Sequence, residues 1–266
     1  MEEVKGNLIT VRTLAEDFRR LGLREGMTVL LHSSFKSLGE WVAGGPAAVI
    51  LALEEALGKD GTLIMPTHST DLTDPSDWIN PPVPKEWWDS IREEMPPYDP
   101  GLTLPRGMGV IPETFRKQTG VRRSGHPLYS FAAWGKHADT VTAGHELPYG
   151  LGDGSPLGRL YDLDGMVLLL GVGHLNNTSM HLAEYRAGYP GKKEITAGAP
   201  ITENGARRWT RFPDLEWNSD DFGRIGEDFE RETGQVRQGL VAAAPARLMS
   251  QRAVVDYAVR WLEQRR

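Results

Sequence analysis

Apolar residues follow two different spacings along the first seventy positions. Residues 10–23 ("TVRTLAEDFRRLGL") repeat them every three or four positions, which predicts a helix. Residues 27–34 ("MTVLLHSS") form a short apolar run that ends in polar residues, which predicts a strand. A second helix is predicted at 44–58 and a second strand at 61–69. This alternation indicates an α/β layered fold.

The rest of the chain continues the same pattern with longer connections. We predict a short helix at 109–118, a strand at 129–135 and a helix, turn and buried strand within 157–171. The last 22 residues, 245–266, are predicted to form one amphipathic helix with a basic end. With no repeat and no clear linker, we expect a single domain, 1–266, built as three α/β/α layers around a central mixed sheet.

Residues 75–100 interrupt the alternation. They hold 7 of the 18 prolines and 3 of the 8 tryptophans. A long proline-rich insertion with aromatic residues is typical of a lid or binding loop. A surface loop held in place by tryptophan packing would leave the same pattern, so both interpretations stay open.

Composition excludes several classes of protein and site. The chain has no cysteine, which excludes disulfides, cysteine-ligated metals and a cysteine nucleophile. The net charge of −6 argues against a nucleic-acid partner and suits a cationic substrate. No apolar run approaches the roughly 20 residues that span a bilayer, and "MEEVKGNLIT" lacks the features of a secretory signal. We therefore expect a cytoplasmic protein with no membrane partner, either monomer or homodimer.

Three predicted strands end in polar clusters, at 32–37, 67–71 and 173–181. In open α/β sheets, ligands bind beyond the carboxyl ends of the strands. The coincidence of three such clusters indicates a functional site at that edge of the sheet.

The third cluster, "GVGHLNNTSMHLAEY" (171–185), carries the residues best suited to chemistry. If a helix begins near Asn177, His174 lies in the loop before its N-terminus and is placed to act as a general base. Thr178 and the helix N–H groups are candidates to stabilise an oxyanion. Two alternatives stay open. The histidines could be satisfied core residues beside a helix cap, or His174, His181 and Glu184 could bind a metal, although they match no standard zinc spacing.

Two further segments suit a phosphate. "HSSFKSLG" (32–39) offers hydroxyls and one lysine after a strand, and 122–135 offers two arginines beside serine. The simpler interpretations are a helix cap for the first and a solvated basic turn for the second. Neither G-x-G-x-x-G nor G-x-S-x-G occurs in the chain, so a dinucleotide fold and a nucleophile elbow are unsupported.

Seven segments, in order along the chain, resemble the aminoglycoside 3-N-acetyltransferase family, which is distinct from the GNAT acetyltransferases. They are "LLHSSFKSLG", "GTLIMPTHS", "YDPGLTLPRGMGVIPETFR", "RRSGHPLYSFAAWG", "GDGSPLGRLYDLDG", "GVGHLNNTSMHLAEYRAG" and, more weakly, "FGRIGEDFE".

This resemblance implies transfer of an acetyl group from acetyl-coenzyme A to the 3-amino group of a 2-deoxystreptamine aminoglycoside, with antibiotic resistance as the result. No metal is implied. His174 would be the catalytic histidine, with Thr178 beside it and Glu184 as the carboxylate that orients the imidazole. The residues expected to line the coenzyme site are His32, Ser33, Ser34, Lys36, Ser37, Arg123, Ser124 and Ser130. Those expected to bind the antibiotic are Asp71, Trp78, Glu184 and Glu227.

Three other functions remain open from the sequence. The chain could be an acetyltransferase of the same family that acts on another amine, a metal-dependent hydrolase built on the histidine cluster, or a binding protein for a polycation. With no cysteine available, direct attack of the amine on the thioester in a ternary complex is favoured over a covalent acyl-enzyme.

Overall fold

The computed structural model describes residues 6–39 and 41–266. The first five residues, part of the segment examined for a secretory signal, lie outside the described residues. The helices are α1 Val11–Leu21, α2 Pro46–Leu57, α3 Trp88–Glu94, α4 Val110–Phe115, α5 Ala138–Thr142, α6 Pro156–Asp162, α7 Ser179–Arg186, α8 Phe222–Thr233 and α9 Gln251–Arg265. The strands are β1 Thr28–Ser33, β2 Thr62–Pro66, β3 Arg122–Arg123, β4 Phe131–Gly135, β5 Met166–Leu170, β6 Glu194–Glu203, β7 Ala206–Leu215, β8 Val236–Val241 and β9 Ala244–Ser250.

Seven of these strands form one mixed sheet, in the order β3-β4-β2-β1-β5-β9-β8. The three central strands β2, β1 and β5 are parallel, and the outer strands join them antiparallel. Parallel strands end at the same edge, so the polar residues that follow β1, β2 and β5 meet there. Strands β6 and β7 form a separate hairpin.

Alternating side chains of the central strands divide the core into two layers. Along β1, Leu30 faces one side while Val29 and Leu31 face the other. The first side is covered by α5 to α9 and the second by α1, α2 and α4. This confirms the predicted three-layer α/β/α arrangement around a mixed sheet, and all three central strands are buried on both faces.

The C-terminal prediction was partly wrong. Only α9 is helical, whereas residues 244–250 form β9, which pairs with β5 and β8. In β9, Ala246 and Leu248 face one layer and Met249 faces the other, a period of two that the following helical pattern obscured. The hairpins β6–β7 and β8–β9 were missed because their exposed positions carry mixed polar residues with no strong period.

The proline-rich insertion is more ordered than a simple loop. It contains α3 and two 3₁₀ turns, Pro75–Asp77 and Lys85–Trp87. Arg92 of α3 binds Asp74 at 2.7 Å and thereby closes the segment on itself. Among the described residues, no helix has the length and apolar character needed to cross a membrane.

Gly171 fixes how β5 enters the site, whereas Gly173 does not. Gly171 has φ 68°, and a Cβ there would lie 2.4 Å from the Ser37 Cβ. The Ser37 hydroxyl also donates to the Gly171 carbonyl at 3.1 Å. Gly173 has φ −98°, and a Cβ added there would meet no atom within 4 Å. Of these two glycines that follow β5, the structure requires glycine only at position 171.

We predict that Gly171→Ala lowers the free energy of unfolding by about 1–3 kcal/mol, because it combines a strained φ with a steric clash. Gly173→Ala is the matched control and should stay within about 0.5 kcal/mol of the wild type. Urea denaturation of both variants measures the difference. Equal stability of the two would contradict this role of Gly171 in the turn.

Candidate active site

A narrow cleft opens where the carboxyl ends of the central strands meet. Its volume is about 90 Å³. Its walls come from the ends of β1 and β2, from a glycine-rich segment before α4 and from the turn after β5. The lining residues are Leu31, His32, Ser33, Pro66, Gly107, Met108, Pro112, Val172, Asn176 and Thr178. The cleft therefore lies where the sequence places the site.

Unsatisfied polar atoms concentrate at the same edge of the sheet, although only His32 and Ser33 among the residues that carry them line the cleft. In the described part of the chain, twelve buried side-chain polar atoms have no hydrogen-bond partner, and six belong to the end of β1 or to the segments that follow β2 and β5. These six are His32 Nε2, Ser33 Oγ, His68 Nε2, His174 Nδ1, Asn177 Nδ2 and Ser179 Oγ. Buried groups without partners are destabilising, so such a concentration is typical of a site built for a ligand.

His174 is held in one orientation by a carboxylate. It begins the 3₁₀ turn His174–Asn176, and its Nε2 lies 2.7 Å from Glu230 Oε1 on α8. Because a carboxylate accepts, Nε2 carries the proton and Nδ1 is left with a lone pair. Burial lowers the pKa of His174, against the opposing effect of Glu230. The imidazole is therefore neutral near pH 7, as a general base must be.

Gly226 allows α8 to approach His174. A Cβ at Gly226 would lie 1.9 Å from His174 Cγ, so only glycine fits. Glu230 follows one helical turn later, on the same face of α8. The helix backbone thus packs against the imidazole while its next turn supplies the carboxylate.

Glu184 does not orient His174, so that prediction was wrong. Glu184 is fully buried, and its Oε2 lies 2.7 Å from His181 Nδ1. Its Oε1 accepts from Arg266 at 2.6 Å and from the Asn218 N–H at 2.9 Å. With both oxygens occupied and no exposed surface, Glu184 also has no means of contacting an antibiotic. The i,i+3 spacing on α7 brings His181 and Glu184 together, and the partner of His174 comes from a distant segment.

The two histidines of the cluster therefore belong to separate pairs, His174–Glu230 and His181–Glu184. Across residues 6–39 and 41–266, no group of three or more His, Asp or Glu side chains is placed to hold a metal ion. The set His174, His181 and Glu184 does not converge in the way the hydrolase alternative requires.

Thr178 keeps its predicted place. It is the N-cap of α7, lines the cleft and makes no side-chain capping bond. The first helix N–H is less available than expected, because Ser179 N–H donates to Asn177 Oδ1 at 3.2 Å. The Thr178 hydroxyl is thus the better candidate donor to an oxyanion.

The predicted coenzyme residues divide into two groups. His32 and Ser33 line the cleft at the end of β1, and burial lowers the pKa of His32 to about 3. Ser34, Lys36 and Ser37 follow, around the 3₁₀ turn Phe35–Leu38, with the Ser37 hydroxyl already bonded to Gly171.

Arg123, Ser124 and Ser130 lie instead in a network inside the protein. All three guanidinium nitrogens of Arg123 donate to protein oxygens, including Thr67 O at 2.8 Å. Ser124 Oγ accepts from the Phe131 N–H and bonds His145 Nδ1, and Ser130 Oγ donates to Thr67 O. Both serines are fully buried. These donors and acceptors fix β3 and β4 to the segment after β2, and the predicted contact of the three residues with a coenzyme stays a prediction.

A second, wider pocket of about 500 Å³ contains two of the predicted antibiotic residues. Asp71 and Trp78 line it together with Arg106, which forms an ion pair with Asp71. Two segments of the chain connect the cavities. The first runs from Pro66 in the cleft to Asp71 in the outer pocket, and in the second Arg106 lines the outer pocket while the next residue, Gly107, lines the cleft. Glu227, the third carboxylate, is exposed on α8, where its charge raises the pKa of His174.

Four residues of the site escaped sequence reasoning: His68, Met108, Gly226 and Glu230. "FGRIGEDFE" contained a usable signal, since Gly226 and Glu230 have the spacing of one helical turn. His68 was visible in "THSTD", and burial lowers its pKa to about 3.

Comparison with known proteins identifies the family. Residues 30–263 match the family described as aminoglycoside 3-N-acetyltransferase. YokD of Bacillus subtilis (strain 168), an SPbeta prophage-derived aminoglycoside N(3')-acetyltransferase-like protein, is 48% identical over 253 residues, 95% of this chain and 92% of YokD. Aminoglycoside N(3)-acetyltransferase VII of Streptomyces paromomycinus is 38% identical over 97% of this chain and 92% of its own length.

Solved structures agree with the sequence comparison. The crystal structure of YokD superposes with a TM-score of 0.95 and 46% identity, covering 98% of this chain and 96% of that one. AAC-IIIb in a binary complex with CoASH gives 0.86 and 34%, covering 97% and 98%. AAC-VIa bound to sisomicin gives 0.88 and 30%, covering 97% and 99%.

We predict that Gly226→Ala abolishes most turnover while the protein stays folded, because the new methyl group displaces His174 from Glu230. The loss should be at least about 100-fold, similar to removal of a general base. Gly223→Ala is the matched control on the same helix, where a Cβ has nothing within 4 Å. Steady-state kinetics and circular dichroism measure both, and equal activity of the two variants would contradict the role of Gly226.

Proposed function

The chain belongs to the aminoglycoside 3-N-acetyltransferase family and is an acyltransferase, and from this we propose how it works. Acetyl-coenzyme A donates its acetyl group directly to the 3-amino group of an aminoglycoside, with His174 as general base. The observation that carries the proposal is the neutral imidazole of His174, which is bonded to Glu230 through Nε2 and has a buried Nδ1 without a hydrogen-bond partner.

In this reaction the amine must lose its proton before or during attack on the thioester carbonyl. His174 Nδ1 accepts that proton, and the imidazolium that forms is stabilised by Glu230 at 2.7 Å. The carbonyl oxygen becomes negative in the tetrahedral intermediate, where the Thr178 hydroxyl donates to it. Collapse of the intermediate expels coenzyme A thiolate and leaves the amide.

The narrow cleft is proposed to receive the acetyl thioester. His32, Ser33, Asn176 and Thr178 provide polar atoms along a wall that also includes the apolar side chains of Pro66 and Met108. Burial keeps His32 neutral, so it adds no charge beside the thioester. The AAC-IIIb complex with CoASH supports coenzyme A as the acyl carrier.

The outer pocket is proposed to receive the antibiotic. It adjoins the cleft, and its Asp71 and Trp78 offer a carboxylate and an aromatic face to a polycation. Bound substrate would replace the Arg106 guanidinium with one of its own ammonium groups. The AAC-VIa complex with sisomicin supports an aminoglycoside as acceptor. Acetylation removes a positive charge from the drug, which is the physical basis of resistance.

We also propose the domain organisation, the cellular location and the oligomeric state of the protein. The two core layers share one sheet, which supports a single domain over 1–266. Acetyl-coenzyme A is available in the cytoplasm, so we place the reaction there. The protein would act as a monomer or homodimer.

A second candidate function keeps the same chemistry but changes the acceptor. The relative that is 48% identical is described as acetyltransferase-like, and Asp71, the one carboxylate among the residues that line the outer pocket, is already paired with Arg106. An amine other than an aminoglycoside is therefore the alternative, with the same coenzyme and base.

We predict that His174→Gln lowers kcat/KM by about 100- to 10,000-fold, because no other group takes the amine proton. Thiol release from acetyl-coenzyme A with a panel of aminoglycosides measures turnover, and calorimetry checks that coenzyme A still binds. His137→Gln, at the start of α5, is the control and should behave as wild type. Near-normal turnover of His174→Gln would remove the proposed base. If the wild-type enzyme releases thiol with other amines but not with aminoglycosides, the second candidate function is favoured.

We predict that Asp71→Asn raises KM for an aminoglycoside by about 5- to 30-fold with little change in kcat, since one exposed charge contact is lost. Asp139→Asn removes another exposed carboxylate that pairs with an arginine, Arg122, and serves as control. The same thiol-release assay gives both parameters. An unchanged KM for Asp71→Asn would place the antibiotic elsewhere.

A further inference from the structure

Helix α3 lies in the proline-rich insertion and is held by polar contacts at its C-terminal end. None of its seven residues is fully buried, so the hydrophobic core does not anchor it. Arg207 of β7 binds this end of the helix. The Arg207 Nε donates to the Met95 carbonyl at 2.7 Å, and its Nη2 donates to the Arg92 carbonyl. A guanidinium suits this position, because the last carbonyls of a helix lack partners within the helix and carry partial negative charge.

The same hairpin also fixes the end of the insertion through its backbone. The Tyr98 N–H donates to the Pro200 carbonyl of β6 at 3.0 Å. In the β6–β7 ladder Arg207 pairs with Thr202, two residues from Pro200, so both contacts come from the same part of the hairpin. The hairpin therefore holds a segment of chain that lies about 110 residues earlier in the sequence.

An ion pair joins α3 to the wall of the outer pocket. Arg92 donates from Nη2 and Nε to the two carboxylate oxygens of Asp74, at 2.7 and 3.0 Å. Such a two-point contact fixes direction as well as distance. Asp74 is also the cap of the turn Pro75–Asp77. Trp78 follows that turn, lines the outer pocket and donates its indole N–H to Thr73 at 3.0 Å. The place of Trp78 thus depends on Asp74, and the place of Asp74 depends on α3.

The insertion contributes to one cavity and not to the other. Trp78, Ile79, Asn80, Pro81 and Val83 line the outer pocket. Among the described residues, those that line the narrow cleft all lie outside 75–100. A shift of α3 would therefore change the outer pocket and leave the cleft as it is.

We propose that Arg207 is a positioning residue for the acceptor, which holds α3 and, through Arg92 and Asp74, sets the place of Trp78 in the outer pocket. This inference rests on the proposed function of that pocket as the acceptor site. Arg207 is not among the residues that line the pocket, so it acts through the helix. Without it, two carbonyls at the end of α3 lose their donor, and the helix can shift because no core contact restrains it.

The test replaces the arginine and reads the tryptophan directly. Arg207→Met removes the charge and the donors but keeps a long side chain, and Arg207→Lys keeps a cation that can reach one carbonyl. Arg208→Met is the matched control, because Arg208 is the next residue of β7 but pairs with Glu203 inside the hairpin. For each variant, thiol release gives kcat and the KM values for acetyl-coenzyme A and an aminoglycoside. NMR of protein with nitrogen-labelled tryptophan gives the indole N–H signal of Trp78, which is assigned by its loss in Trp78→Phe.

We expect Arg207→Met to move the Trp78 signal and to raise KM for the aminoglycoside about three- to tenfold. Both kcat and KM for acetyl-coenzyme A should stay within about twofold of wild type. Arg207→Lys should recover most of the lost affinity, and Arg208→Met should match wild type in every quantity. Equal losses in kcat and in both KM values would indicate general damage to the fold and overturn the proposal, as would an unmoved Trp78 signal.

The Trp78 signal also separates this inference from the proposed function. If the signal moves in Arg207→Met while KM for every aminoglycoside tested is unchanged, Arg207 positions the wall of the outer pocket as proposed. That result would show that the acceptor binds elsewhere, so the proposed function of the outer pocket would fail.

Discussion

The hydrogen bond between His174 and Glu230 joins two segments that are 56 residues apart in sequence. It exists because α8 can lie directly on the imidazole, and α8 can do so because residue 226 has no side chain. The parallel strands β1, β2 and β5 bring the rest of the site to the same edge. The strands thus provide the location, and the contact with α8 provides the orientation and protonation state of His174 on which the proposed chemistry depends.

The fold and the place of the site could be predicted because their signals are local. Apolar runs that end in polar residues marked β1, β2 and β5, and the rule that ligands bind at the carboxyl ends of such strands located the cleft. The partner of His174 could not be predicted in the same way. Sequence spacing favoured Glu184, one turn from His181, and that contact is real but belongs to the other histidine.

The roles of charged and hydroxyl residues were the hardest to predict from residue type alone. Arg123 and Ser124 look suited to a phosphate, yet their donors and acceptors are used to hold strands β3 and β4 in place. Whether such a side chain binds a phosphate or holds strands together is decided by the positions of neighbouring carbonyls, such as Thr67 O. By contrast His32, Ser33 and Thr178 follow strands or cap a helix at the correct edge, and they line the cleft. Position at the edge of the sheet was therefore a better guide than residue type.

The described residues include two histidine–carboxylate–arginine sets, His174–Glu230–Arg247 and His181–Glu184–Arg266. We assign the chemistry to the first set. The measurement that tests this most directly is nitrogen NMR of histidine-labelled protein during titration with an aminoglycoside and non-reactive coenzyme A. We expect the Nδ1 signal of His174 to shift on forming a hydrogen bond with the amine, while the signals of His181 stay unchanged. A shift confined to His181 would contradict the central claim.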